Sequence, residues 1–306
     1  MMATWHAARP SVAGACVLRD CVDIVPFLCG HYLRMGFAHL AFVDDGSTDG
    51  TYELLQRIAK RTPRVSVKQV HIDRFEQPAL MTEAVNSLVA AGHSIIVPFD
   101  FDEFWGADAA RFVSILAPWT EAIIEGHWVN FVQRRSRLAS TRLGLFNAAY
   151  RAPHLPEAGQ ETITTYASSF LCFSIQKLAI KTANPVKIER GQHSLTVGPQ
   201  EVCGTKLEIL HLPFRSRAEI LKRGLNYEPR MATVRNHRNM SWQSAFFGET
   251  ATNGKLDAVW AAHSCDSSGR INIYGKPLAA VEDCRLRRTL IGAGWHFLAK
   301  TGLCPL

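Results

Sequence analysis

The regular alternation of strand-like and helix-like segments in the first 100 residues constrains the fold of this chain more than any other feature. Four short apolar runs rich in β-formers lie at 12–18, 39–45, 65–72 and 94–100. Three segments with helical spacing of apolar residues lie between them, at 23–35, 51–61 and 78–92. This pattern is typical of a parallel sheet covered by helices. We therefore predict an α/β domain whose sheet is mostly parallel.

The remaining segments are less regular. Strand-like runs occupy 122–134, 170–182 and 205–212, a helix-like run occupies 216–227, and 135–170 has the composition of a loop. The rest of the chain shows helical patches without an internal repeat. We expect one domain over 1–228 and a C-terminal helical extension over 229–306.

Composition narrows the class of protein. With 306 residues, 47% of them hydrophobic, the chain can bury a sizeable core. It has no apolar run of 18 or more residues, which a spanning helix needs, and its first 21 residues lack the continuous apolar core that a secretory signal needs. Its eight cysteines include no C-x-x-C pair, which favours buried reduced thiols. We expect a cytoplasmic protein; a zinc site from His263, Cys265 and Cys284 would lack a recognised spacing.

The positive charge is concentrated in the last third of the chain. Residues 1–200 carry 19 Lys and Arg against 18 Asp and Glu, whereas residues 201–306 carry 15 against 9. Such an excess suits phosphates, an anionic membrane or nucleic acid. No nucleic-acid motif accompanies it, so we expect no nucleic-acid partner.

Two acidic motifs follow predicted strands. In VDDGSTDGT (43–51), Gly46 and Gly50 permit a tight turn, and Ser47 or Asp49 can cap the next helix. Carboxylates at such a strand end can accept hydrogen bonds from a base or a ribose. A capped turn with solvated acids is the alternative interpretation.

The second motif is FDFDEF (99–104). On an extended strand end, Asp100 and Asp102 would point the same way. Their oxygens suit Mg²⁺ or Mn²⁺, which also bind substrate phosphates. Because ligands of parallel sheets bind beyond the carboxyl ends of strands, Asp44 and Asp45 should face the same crevice as this pair.

The run ACVLRDCVDIVPFLCGHYLRMGFAHLAFVDDGSTDGTYELL resembles the opening of a family 2 glycosyltransferase with the GT-A fold. The resemblance continues through Gln77 and Asn86 to FDFDEFW, then to WVNF (128–131) and HLPFRSRAEILKRG (211–224). It covers roughly residues 12–228. It implies a GT-A-type, Rossmann-like, mostly parallel mixed sheet flanked by helices.

The same resemblance implies an activity. It is the inverting transfer of a sugar from a nucleotide-sugar, usually a UDP-sugar, to a hydroxyl of a glycan or lipid-linked glycan, with Mn²⁺ or Mg²⁺. Asp44 or Asp45, with Gly46 and Ser47 in the turn, would hold the nucleotide. Two further acids would bind other parts of the donor. Asp100 would contact the ribose or phosphate side and ligate the metal, and Asp102 would bind the metal.

A catalytic base is harder to assign, because no Glu-Asp pair typical of many family members is present. Inverting transfer to a hydroxyl needs a carboxylate or histidine to accept the proton. Glu103, Glu161 and Glu189 are the candidates, although packing or an ion pair explains Glu103 equally well.

Basic and histidine residues supply the remaining candidates. His193 or His211 could be a third metal ligand. A basic cluster follows HLPF: Arg215, Arg217, Lys222, Arg223, Arg230, Arg235 and Arg238. Its first member, Arg215, could bind the diphosphate, or the cluster could be a solvated helix face.

The segment CRLRRTLIGAGWHFLAK (284–300) mixes basic and apolar residues. It could lie on the inner face of a membrane, as for an enzyme with lipid-linked acceptors, or be a packing helix.

Two rival functions remain. Nucleotidyl transfer usually needs a glycine-rich loop after the first strand, which CVLRDCVDIVPF lacks; a non-catalytic nucleotide-sugar binder needs no base.

Overall fold

The computed structural model describes residues 10–71, 76–135, 142–153, 175–231, 253–273 and 276–304. The predicted alternation in the first 100 residues is confirmed. Its elements are β1 (Val12–Leu18), α1 (Val25–Arg34), β2 (His39–Asp45), α2 (Thr51–Arg61), β3 (Val65–Val70), α3 (Gln77–Ala90) and β4 (Ile95–Pro98).

The following elements are shorter and more varied. Up to the end of the predicted first domain they are β5 (Glu103–Trp105), α4 (Ala109–Leu116), β6 (Ala122–Arg134), β7 (Tyr150–Arg151), β8 (Gln176–Lys181), β9 (Lys187–Ile188), β10 (Leu195–Val197), β11 (Val202–His211) and α5 (Arg217–Met231). Two short 3-10 helices lie at Arg142–Asn147 and Arg190–Gln192. The stretch predicted as a loop therefore contains, in its described part, a helical turn and a strand.

The C-terminal residues contribute strands as well as helices. These are α6 (Leu256–Ala262), β12 (Ser264–Cys265), β13 (Arg270–Ile273), β14 (Lys276–Ala279), β15 (Val281–Glu282) and α7 (Arg285–Thr301). β12 pairs with β6 and β15 pairs with β7, so residues beyond 228 extend the sheet of the preceding segment.

An 11-stranded mixed sheet forms the centre of the described structure. β3, β2, β1 and β4 are parallel neighbours in that order, and β8 pairs antiparallel with β4 and β6. Asp44 of β2 lies beside Leu18 of β1, and Pro98 of β4 lies beside Ala15. The carboxyl ends of β2 and β4 thus flank that of β1 at one edge of the sheet.

Two apolar layers cover the two faces of this sheet. α1 and α2 bury residues such as Phe27, Leu28 and Leu55 on one face. α3 buries Met81 and Val85 on the other. Because β1 is covered on both faces, all seven of its residues are buried.

α7 lies against the outer side of α1. A Cβ added at Gly30 would lie 2.0 Å from the backbone oxygen of Ala293, so only glycine permits this approach. Leu290 and Phe297 fill the contact. The interpretation of 284–300 as a packing helix is therefore confirmed for the side that faces α1. In the described part of the chain, no helix is both long and apolar enough to cross a bilayer.

Candidate functional site

Acidic side chains gather at the sheet edge where β1, β2 and β4 end. We call this set the acidic rim; its members are Asp20, Asp44, Asp45, Asp49, Asp100, Asp102 and Glu103. The loop after β1 contributes Asp20, the end of β2 and the turn after it contribute the next three, and the segment after β4 contributes the last three. Both acidic motifs therefore lie at the same edge of the sheet, as the sequence predicts.

The turn after β2 is held by its own acids. Asp44 is buried, and its Oδ1 accepts hydrogen bonds from the backbone N–H of Ser47 at 3.0 Å and from Gln69 Nε2 at 3.3 Å. Gly46 has a φ of 69°, and an added Cβ there would lie 2.9 Å from His71 Nδ1. Asp45 is half-buried. Of the two predicted nucleotide ligands, Asp44 shapes the turn and Asp45 is the more accessible.

The loop after β1 is bound to the same turn. Asp20 donates its backbone N–H to Ser47 Oγ at 2.8 Å, and its Oδ1 accepts from the Thr48 N–H at 2.7 Å. Asp49 accepts from the Thr51 N–H at 3.0 Å, near the start of α2. The N-cap of α2 is Gly50, so neither predicted residue occupies that position; Asp49, one residue earlier, bonds the first helical residue, while Ser47 binds the β1 loop.

The segment after β4 corrects one expectation. β4 ends at Pro98, and the chain then turns, with the Glu103 N–H donating to the Asp100 carbonyl at 3.1 Å. Asp100 and Asp102 are therefore not successive outward positions of an extended strand. Because of the turn, the two carboxylates have separate partners.

Asp100 is bound by three side chains from distant parts of the chain. Lys177 of β8 lies 2.6 Å from its Oδ2, and the amides of Gln77 and Gln192 donate to Oδ1 at 3.2 and 2.9 Å. Lys177 is buried, and burial alone would lower its pKa. The charges of Asp100 and Glu103 outweigh that effect and raise the pKa well above the usual value, so Lys177 stays charged.

Glu103 lies beneath Asp100 and is fully buried. Its carboxylate accepts from Trp128 Nε1 at 2.7 Å and from the Asp100 N–H at 2.9 Å, and it lies 3.1 Å from Lys177 Nζ. Burial raises its pKa to about 7, against the opposing charge of Lys177. These contacts leave no exposed carboxylate surface for an acceptor hydroxyl, so they favour a positioning role over that of the predicted base.

Asp102 faces a different pair of side chains. Arg223 of α5 lies 2.8 Å from its Oδ2, and His211 Nε2 lies 3.7 Å from its Oδ1. Burial alone would raise the pKa of Asp102, but Arg223 and His211 more than offset it and hold the pKa below its usual value. Asp102 is thus ionised throughout the neutral range.

His211 presents a lone pair to Asp102. Its Nδ1 lies 2.7 Å from Asn130 Oδ1, an acceptor, which assigns the proton to Nδ1. Its ring stacks on Trp128 with centroids 3.9 Å apart. Burial lowers its pKa to about 4, so the ring is neutral at pH 7. Two electron-pair donors, His211 Nε2 and Asp102 Oδ1, therefore face each other without a proton between them.

These two atoms could both serve as ligands of a divalent cation. A metal-bound histidine typically donates its other N–H to an oxygen, as His211 does to Asn130. Among the described residues, no three His, Cys, Asp or Glu side chains are placed together to hold a metal, and this includes His263, Cys265 and Cys284. Mg²⁺ commonly takes only one or two carboxylates besides phosphates and water, and Asp102 could be such a carboxylate, with His211 as a nitrogen ligand.

α5 connects the two halves of the rim. Lys222 Nζ lies 2.6 Å from Asp49 Oδ2, and it donates to the Asp20 carbonyl at 3.2 Å. The next residue, Arg223, binds Asp102. Consecutive residues of one helix thus contact both acidic motifs, so the two motifs lie close together in space.

Arg215 is placed differently from its predicted role. It is buried, and its guanidinium binds Asp23 through two hydrogen bonds of 2.8 and 3.0 Å and Glu219 at 2.6 Å. Its carbon Cζ also lies 4.9 Å from the Phe101 ring centroid. These contacts fix α5 to the loop after β1 and do not present the guanidinium to a diphosphate.

The remaining predicted residues lie beside the rim or outside the described residues. His193 Nδ1 contacts the Gln176 carbonyl at 2.6 Å, and burial lowers the pKa of the ring. Glu189 is half-buried and immediately precedes the short helix whose Gln192 binds Asp100. Glu161, Arg235 and Arg238 lie outside the described residues.

Backbone strain also concentrates here. Within the described chain, Asp20 and Gln192 are the two non-glycine residues with positive φ, at 52° and 61°. Both hydrogen-bond into the rim. Strained backbone tends to persist at binding and catalytic sites, where the surrounding contacts hold it.

Sequence reasoning missed Lys177 and Gln192 as partners of Asp100 and gave Arg223 no individual role. The available signal for Lys177 was a charged residue inside the apolar run FLCFSIQKLAIKT. A charge within an apolar strand needs an opposite charge nearby, and Asp100 and Glu103 supply it.

No family model matches the chain, and no curated protein matches it. A crystal structure of S. aureus TarS in complex with UDP is 9% identical, over 79% of this chain and 72% of that one, with a TM-score of 0.36. The mannosyltransferase PcManGT from Pyrobaculum calidifontis, in complex with GDP-Man and Mn²⁺, is 16% identical, over 84% and 74%, with a TM-score of 0.34.

A putative glucose-1-phosphate thymidylyltransferase from Bacillus anthracis, in complex with a sucrose, is 8% identical, over 42% of this chain and 61% of that one, with a TM-score of 0.28. Similarities of this size do not decide the activity of the chain. What is established is the fold: a mixed α/β structure whose mostly parallel central strands carry an acidic rim at their carboxyl edge.

Proposed function

We propose that this protein is a glycosyltransferase of family 2 type. It would transfer a sugar from a nucleotide-sugar, a UDP-sugar in the first instance, to a hydroxyl of a glycan or lipid-linked glycan, with inversion. The observation that carries the proposal is the meeting of the two acidic motifs at one strand edge, where Lys222 and Arg223 contact both. Parallel sheets bind their ligands at this edge.

The nucleotide would bind at the turn after β2. Asp45 is the half-buried acid there, and it would accept a hydrogen bond from the base. Asp44 and Ser47 would act indirectly, by holding the turn and the β1 loop together. Asp100, whose orientation is fixed by Lys177, Gln77 and Gln192, would contact the ribose or phosphate side.

Asp102 and His211 are the residues that would hold Mn²⁺ or Mg²⁺. When bound, such an ion stabilises the charge of the leaving diphosphate. Asp100 suits this role less well, because both of its oxygens already accept hydrogen bonds from the protein. Arg223 adds a positive charge beside Asp102 that could also face a diphosphate.

The catalytic base would be a carboxylate that is not already held by hydrogen bonds within the acidic rim. Glu189, at the edge of the rim, and Glu161 remain the candidates. Glu103 is better suited to fixing Asp100 and Trp128 in place. A base near the acceptor would take the hydroxyl proton as the new bond forms.

The test is binding followed by turnover. Titration calorimetry with UDP should show heat only when Mn²⁺ or Mg²⁺ is present, and nucleotide-sugars that bind should raise the melting temperature. A donor-hydrolysis assay on the stabilising nucleotide-sugar should then release UDP. Absence of metal-dependent UDP binding in correctly folded protein would reject the proposal.

A non-catalytic nucleotide-sugar binder is the second candidate. The full burial of Glu103 favours it, because this acid is thereby unavailable as the base. Metal-dependent binding without release of UDP, across donors and with glycan acceptors added, would select this alternative.

A further inference from the structure

The outer side of α7 carries an apolar stripe. Ile291, Trp295 and Leu298 are 45%, 69% and 38% exposed. They are four and three residues apart, so they lie on one face of the helix. A tryptophan is usually largely buried in a folded protein, which makes its position here unusual. We call these three residues the α7 stripe.

The α7 stripe is displayed on a fixed support. The opposite side of the helix packs on α1 through Leu290, Ala293 and Phe297, with Ala293 against Gly30. A rotation that buried the stripe would expose these residues instead. The stripe is therefore held at the surface of the described structure by the packing of the opposite side.

Positive charge surrounds the α7 stripe. α7 contains four basic residues and no acidic one. Arg285 is paired with Glu208 and Asp283, whereas Arg287, Arg288 and Lys300 are exposed and make no ion pair with any described residue. Basic residues thus flank the stripe at both ends of the helix.

The ends of two neighbouring helices add to this charge. Arg34 ends α1 beside Gly292, and Arg61 ends α2, where its Nη1 donates to the Thr301 carbonyl at 2.8 Å. Burial lowers the pKa of His296 on α7, and Lys300, Arg34 and Arg64 lower it further. The surroundings of the last turns of α7 are therefore strongly cationic.

We propose that this surface binds anionic lipid membranes, with the α7 stripe entering the interface and the basic residues contacting lipid headgroups. Tryptophan prefers the membrane–water interface. Clustered Lys and Arg are attracted to anionic leaflets. A stable protein–protein interface usually needs about 20 or more residues on each side, many more than three apolar side chains provide. A lipid surface needs no such matching shape.

The proposed membrane surface leaves the acidic rim open. α1 and α2 begin after the carboxyl ends of β1 and β2 and run back to the opposite edge of the sheet, where Arg34 and Arg61 lie. Membrane contact there would not cover Asp45 or Asp102. The proposal is thus independent of the proposed transferase activity.

The test is sedimentation of the full chain with vesicles. Vesicles of equimolar phosphatidylcholine and phosphatidylglycerol should bind the protein, and binding should weaken with added salt. Pure phosphatidylcholine vesicles should bind much less. Trp295→Ala should lower partitioning about tenfold, as expected for loss of a large apolar side chain from the interface. Arg287→Gln and Arg288→Gln should each lower it about fivefold.

Val197→Ala is the matched control, because Val197 is an exposed apolar residue (53%) outside α7. It should leave partitioning unchanged. Equal binding to neutral vesicles, no binding to either kind, or no effect of Trp295→Ala would overturn the proposal. So would a loss of dimer on Trp295→Ala in analytical ultracentrifugation, because the stripe would then join two copies of the chain. Melting curves should show that each variant is folded.

Discussion

Arg223 Nη2 lies 2.8 Å from Asp102 Oδ2, across a sequence separation of 121 residues. The segment after β4 places three acids among aromatic residues, and the positive charge of Arg223 offsets that of Asp102. Lys177 does the same for Asp100 and Glu103. Each of the three acids after β4 is thus paired with one of two basic side chains from elsewhere in the fold.

The Asp102–His211 pair gives a first prediction, on metal dependence. Asp102→Asn should weaken Mn²⁺-dependent UDP binding by about tenfold or more, because it removes one charged oxygen from the proposed cation site. Titration calorimetry at fixed Mn²⁺ measures the effect. Asp257→Asn, which changes an exposed acid of α6, should bind UDP as the wild type does. Equal affinity of both variants would remove Asp102 from the site.

Lys177 gives a second prediction, on stability. Lys177→Met should destabilise the fold by about 3–5 kcal/mol, because it removes the cation that pairs with the buried Glu103 and the half-buried Asp100. Adding Glu103→Gln should recover part of this loss, since the double variant has one fewer buried acid. Urea unfolding of the wild type, both single variants and the double variant measures the coupling. Strictly additive losses would show that the two side chains do not interact.

His211 gives a third prediction, on pH. Its pKa is about 4 in the folded protein, against 6.5 for an ordinary histidine. The unfolded chain therefore binds more protons between these values, and stability falls as pH drops from 6.5 toward 4, by up to about 3 kcal/mol for this group. Urea unfolding at several pH values should show a shallower pH dependence for His211→Gln.

His31 and His263 also have pKa values lowered by burial to about 4, so some acid sensitivity should persist in the His211→Gln variant. His71→Gln, at an exposed position, is the matched control and should keep the wild-type slope. A slope identical in all three proteins would place the His211 pKa near its ordinary value.

The contact between α1 and α7 gives a fourth prediction. Gly30→Ala should destabilise the protein by about 1–3 kcal/mol, because its Cβ would overlap the backbone of Ala293. Gly292→Ala is the matched control on the facing helix, since its Cβ would meet only Arg34, at 3.5 Å. It should be neutral or stabilising by up to about 1 kcal/mol. Thermal melts of the two variants separate these outcomes.

The first half of the fold could be predicted because its signals are local. Apolar periodicity located β1 and α2 at their observed bounds, and the strand ends followed from it. Lys177 and Arg223 could not be assigned as partners of the acids, because they approach them only through the antiparallel insertion of β8 and the placement of α5. The turn after Pro98 was also missed, since the acids alone are compatible with an extended strand.

Lys222 and Arg223 are adjacent on α5, and each pairs with an acid of a different acidic motif. Arg217 of the same helix pairs with Asp257 of α6, where both side chains are exposed. A displacement of α5 would change the positive charge beside both motifs at once. Ligand binding at either motif would therefore depend on the position of this one helix.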